Sequence, residues 1–148
     1  MTNPEIQTIL DRRVQEIAHV AGAVVVSEDG IFQYMSGWPE TSSNDPTKDP
    51  AQMRRAHGEH RAALATGLNS LTQQVAATDG DDAERVIVEM KRGWCVTSRS
   101  GKRSIIALYA AKDAALGQLG YELTLLADQL GPLLDVERRE VRAPGHAS

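Results

Sequence analysis

Between Arg85 and Ala110 the chain sets three short apolar runs almost end to end: RVIVEM (85–90), WCVTSR (94–99) and SIIALYA (104–110). Only Lys91-Arg92-Gly93 and Ser100-Gly101-Lys102-Arg103 separate them. A parallel strand pair needs a crossover of about a dozen residues or more, so these runs can pair only as antiparallel hairpins. The same pattern occurs nearer the N-terminus, in GAVVVSEDGIFQY (22–34). AVVVS is continuous and β-branched, as in a strand buried on both faces. Glu28-Asp29-Gly30 supplies a turn, and IFQYMS continues as the antiparallel partner.

Helical patterns frame these strands. PEIQTILDRRVQEIAHVA (4–21) places Ile6, Leu10, Val14 and Ile17 on one stripe, with Asp11, Arg12, Gln15 and Glu16 opposite. That spacing predicts an amphipathic helix, which Gly22 is expected to end. Asp49-Pro50 reads as an N-cap acid followed by a proline at the first helical position. The helix it opens runs to Thr78, with Met53, His57 or His60, Leu64, Leu68, Leu71 and Val75 at helical spacing. Gly67 and several alanines keep it slim. A last helix is expected over about 114–134, with Leu119, Leu123, Leu126 and Leu130 on one face. Gly37 to Asp49 reads as a long Pro-, Ser- and Asp-rich loop, and DVERREVRAPGHAS (135–148) as a flexible tail. The order α-β-β-α-β-β-β-α defines an α+β domain over residues 1–134, one five-stranded sheet sandwiched by helices.

Composition removes several classes of function. A net charge of −4 gives no basic excess to neutralise phosphates, which argues against nucleic-acid binding. No apolar run approaches the roughly 20 residues of a membrane helix. MTNPEIQTILDRR has neither the basic start nor the apolar centre of a signal peptide, and the single cysteine suits a reducing cytoplasm.

Candidate chemistry is thin. His57 and His60, at i and i+3, share a helix face, but a metal site needs three or four ligands, and His19 and His146 lie elsewhere in the sequence. Gly101-Lys102 lacks the upstream glycine of a phosphate loop and leads into a strand. Asp79-Gly-Asp-Asp-Ala-Glu84 lacks the glycine of a calcium loop and reads as a solvated turn. Cys95 has no neighbour in sequence to activate it. Trp38 reads either as an exposed anchor or as a ring packed over the sheet. No nucleophile, base and orienting acid are grouped, so the chain reads as a binding module without enzymatic activity, metal or cofactor.

Four stretches in order then meet a known pattern: GAVVVSEDG after an amphipathic helix, ALATGLNSL, VIVEMKRGW, and SIIALYAAKDAALGQLGYELTLL. Over about residues 5–134 the chain resembles the Roadblock/LC7 family, and more narrowly its small actinobacterial members. The resemblance implies a profilin-like sheet of order 2-1-5-4-3, with the second helix on one face and the other two on the opposite face. It also implies a dimeric scaffold that binds small Ras-like GTPases and works alongside a sensor kinase.

RVIVEM would then be an edge strand, a hazard unless something covers it. Self-pairing across a two-fold axis answers that need. The expected dimer interface is Arg85, Val86, Ile87, Val88, Glu89 and Met90 together with Leu64, Gly67, Leu68 and Leu71, and a proline at Val88 is expected to split it. Trp38, Arg54, Arg55, His57 and Arg61 form the candidate partner surface. The alternative is a PAS- or profilin-like ligand-sensing domain, which would require an internal cavity.

Overall fold

A computed structural model describes residues 2–38, 47 and 49–141. The elements are helix α1 (Pro4–Glu16), strands β1 (Val20–Ser27) and β2 (Phe32–Gly37), helix α2 (Pro50–Thr78), strands β3 (Arg85–Glu89), β4 (Gly93–Ser100) and β5 (Ser104–Ala111), and helix α3 (Leu116–Val141). All strand pairs are antiparallel and the sheet order is β2-β1-β5-β4-β3. The expected architecture and strand order are both present.

Alternation along the strands divides the core in two. Ala23 and Val25 of β1 face α1 and α3, where they join Leu10, Leu108, Leu123, Leu126 and Leu130. Val24 and Val26 face α2, with Ile105, Ala107, Ala62 and Ala65. A strand covered on both sides has no polar face, which is why AVVV shows no alternation in sequence.

Two boundaries differ from the sequence reading. α1 ends at Glu16, not near Gly22: Ile17 turns to extended backbone with its N–H still on the Arg13 carbonyl. His19 takes a positive φ of 68°, and β1 has begun by Val20. Gly22 is therefore a strand residue, paired with Gly37 on one side and Tyr109 on the other. The apolar residues through Ala21 continue the helical spacing by coincidence, because a strand follows at once.

The second difference is that α3 runs on through Val141, into the segment read as a tail. Polar contacts explain the extension. The Tyr34 hydroxyl donates to Glu137 at 2.7 Å and accepts the Asn3 N–H at 2.7 Å. Asp135 accepts the Lys102 N–H at 2.9 Å, and Arg138 lies 3.7 Å from Asp29. Each links the last turns of α3 to a different part of the body. The rest of that tail, 142–148, and most of the expected loop, 39–46 and 48, lie outside the described residues.

Candidate interaction surface

α2 touches the sheet over a narrow strip. Of its 29 residues only Gly58, Ala62 and Ala65 are buried. A Cβ on Gly58 would stand 2.7 Å from the Phe32 ring, so only a bare backbone approaches this closely. A helix so slim on its inner side presents its larger residues outward. Leu64, Leu71 and Val75 are 50%, 63% and 70% exposed, and Gly67 is exposed on the same face, with Leu68 half-buried.

β3 forms one edge of the sheet. The Met90 N–H donates to the Gly93 carbonyl at 2.9 Å, which sets the parity of the strand. In an antiparallel ladder alternate residues point their N–H groups the same way. Val88 and Val86 therefore bond inward to β4, and Ile87 and Glu89 present N–H and C=O outward. A proline at Val88 would break the protomer's own ladder; Ile87 is the outward-facing position.

The β3 side chains divide by face. Val88 packs under α2, and Arg85 reaches to the other face, where its guanidinium donates to the Gly120 carbonyl at 3.1 Å and Thr124 Oγ1 at 2.6 Å. Glu89 pairs with Lys112 at 2.7 Å. Ile87 and Met90 are 48% and 40% exposed. The opposite sheet edge differs: Gln7 of α1 donates its amide to the Met35 carbonyl of β2 at 2.9 Å. One edge has a helix side chain engaged upon it, while the other carries exposed apolar groups beside an exposed apolar helix stripe.

Four of the five residues grouped as a partner surface converge. Trp38 and Tyr109 pack edge to face, 5.4 Å between centroids, and the Arg61 guanidinium lies against both rings, 4.6 and 4.3 Å from their centroids. Its Nε–H donates to His57 Nε2 at 2.5 Å, and Arg54 donates to the Trp38 carbonyl at 2.6 Å. Arg55 stands apart on the solvent side, paired with Glu59 at 2.8 Å. Trp38 is thus a half-buried ring packed on the body. Its φ of 47° costs of order 1–3 kcal/mol and persists only because its surroundings hold it there. Here its N–H bonds the Ala21 carbonyl at 3.0 Å, and its ring lies where a Gly22 Cβ would be, 2.4 Å from that position. Sequence reasoning found Trp38 but missed both Gly22 and Tyr109 as its partners, since neither is near it in the chain.

The electrostatics match packed groups. Burial, then the cations Arg61, Arg54 and His60, hold the His57 imidazole below its ordinary pKa. Burial pushes the Cys95 thiol up, and it is 4% exposed, the state of a small core residue. Burial likewise pushes the Tyr109 hydroxyl up to about 12. Among the described residues no group of three His, Cys, Asp or Glu side chains is placed to hold a metal, and no helix is long and apolar enough to cross a membrane. A shallow, open depression between α2 and the β3–β4 pair is lined largely by polar residues such as Asn69, Thr72, Gln73 and Ser98.

Comparison with known proteins agrees with the fold. A Roadblock/LC7 domain from Streptomyces avermitilis superposes with a TM-score of 0.71 at 29% identity, covering 86% of this chain and 96% of its own. Myxococcus xanthus MglB superposes at 0.69 and 15% identity, covering 89% and 96%. Profilin IB of Acanthamoeba castellanii does so at 0.51 and 18%, covering 84% and 94%, a likeness of fold. No curated protein matches the sequence. The family model for the Roadblock/LC7 domain matches residues 6–110, from the first buried residue of α1 almost to the end of β5, and the chain belongs to the Roadblock/LC7 family.

Proposed function

We propose that this protein is a non-enzymatic, homodimeric scaffold that binds a small Ras-like GTPase in a bacterial signalling system, in the cytoplasm and alongside a sensor kinase. The observation that carries the reading is the exposed stripe of Leu64, Leu71 and Val75 on α2 beside the β3 edge. A second copy fits both features at once. Outward N–H and C=O groups at Ile87 and Glu89 are self-complementary across a two-fold axis, because an antiparallel pair exchanges identical bonds. The same axis would bring Leu64, Gly67, Leu68 and Leu71 of two helices together, with Arg85, Val86, Val88 and Met90 at the joined edges. The engaged β2 edge favours β3 as the pairing edge.

The GTPase assignment rests on family membership and on the absence of a grouped nucleophile, base and orienting acid in the sequence reading. Its test is capture by the tagged full chain of a purified small GTPase encoded beside it, loaded with GDP or with a non-hydrolysable GTP analogue. Saturable binding that differs between the two nucleotide states is expected. Equal failure with both would overturn the assignment while leaving the dimer intact.

A further inference from the structure

The N-terminal half of α2 rests on the sheet through Gly58 and Ala62, and beside them Arg61 packs on two rings. The guanidinium lies against the edge-to-face pair of Trp38 and Tyr109, and its Nε–H ends on His57 Nε2. The His57 ring packs on Trp38 in turn, 4.9 Å between centroids and tilted by 56°. An imidazole nitrogen accepts a hydrogen bond only when it carries no proton. We propose that this cluster is a proton-operated clasp: neutral His57 holds Arg61 against the Trp38–Tyr109 pair, and protonation of His57 releases Arg61 from the two rings.

The groups around His57 leave the charged form unsupported. On α2 it faces Arg54, His60 and Arg61; from the end of β2 comes Trp38, and from β5 Tyr109, which contacts both Arg61 and Cys95 of β4. Among the described residues the charged groups acting on it are all cations. Glu59, the nearest carboxylate along the helix, is engaged by Arg55. A proton on Nε2 would set donor against donor and add a cation beside two guanidinium groups. A histidine whose native pKa is depressed binds more protons in the released state. The clasp is therefore fully closed above the ordinary histidine value near 6.5 and is lost as pH falls through the lower native value. The device stands whether or not the chain dimerises, because every group in it belongs to one protomer.

Trp38 reports on the clasp directly. In the full-length Trp94→Phe protein it is the sole tryptophan, so its emission and acrylamide quenching can be followed from pH 8 to pH 5. The expected result is one transition with a midpoint below 6.5 while far-UV circular dichroism stays constant. His60→Gln should keep the transition, and His57→Gln should abolish it. A flat trace, a transition that survives His57→Gln, or one that coincides with loss of helix would overturn the proposal. Should His57→Gln not fold, the NMR titration of His57 in the wild-type chain decides instead: a midpoint below 6.5 that coincides with a shift of the Trp38 indole resonance supports the clasp. A midpoint at or above 6.5, or an unmoved Trp38, refutes it.

Discussion

Truncating Leu71 to alanine separates association from folding, because this side chain is 63% exposed in the protomer. The change removes three carbons. At about 0.8 kcal/mol per buried methylene, scaled by that exposure, each copy loses about 1.5 kcal/mol of burial on pairing. A two-fold interface contains the residue twice, so dimerisation weakens by about 3 kcal/mol, roughly 100-fold in Kd. The protomer itself should be altered by no more than about 0.5 kcal/mol, as for other exposed positions. Leu130→Ala is the control. Leu130 is 0% exposed, and its truncation should cost about 2–5 kcal/mol of folding stability. Dilution series by sedimentation or fluorescence anisotropy give the dissociation constants, and urea titration gives the stabilities. A Leu71→Ala protein that dissociates like the wild type would refute the assignment of the α2 stripe to the interface.

Other substitutions test separate links. Ile87→Pro should remove an outward N–H and raise the dimer dissociation constant at least 10-fold while circular dichroism stays native; Val88→Pro should also lower the melting temperature, since its N–H serves β4. Gly22→Ala puts a methyl group 2.4 Å from the Trp38 ring and should cost about 1–3 kcal/mol in urea titration, with a shifted Trp38 emission. Tyr34→Phe deletes a hydroxyl bonded to both Asn3 and Glu137 and should cost about 1.5–3 kcal/mol, with faster hydrogen exchange in residues 135–141 of α3.

The strands were legible because connections as short as Lys91-Arg92-Gly93 permit only hairpins, and that constraint needs no tertiary information. α2 was legible to within a residue, since Asp49 caps it and Pro50 opens it. The end of α1 was not, because Gly22 carries a common helix-stop signal while serving a different purpose, close approach to Trp38. The last turns of α3 were missed for a related reason. Their charged residues look like a solvated tail until Tyr34, Lys102 and Asp29 are brought beside them by the fold. The candidate surface divides in the same way. Leu64, Leu68 and Leu71 follow from helical period, whereas the outward direction of Ile87 needs the register of one hydrogen bond. The placement of Arg61 against two rings depends on β2 and β5 ending at the same end of the sheet, which no local pattern records.

Sedimentation equilibrium of the full chain over the micromolar range decides whether β3 and the α2 stripe join two copies. The expected mass is twice the 16.1 kDa protomer, falling toward one protomer on dilution and doing so at higher concentration in Ile87→Pro. A single species of 16.1 kDa across that range would contradict it.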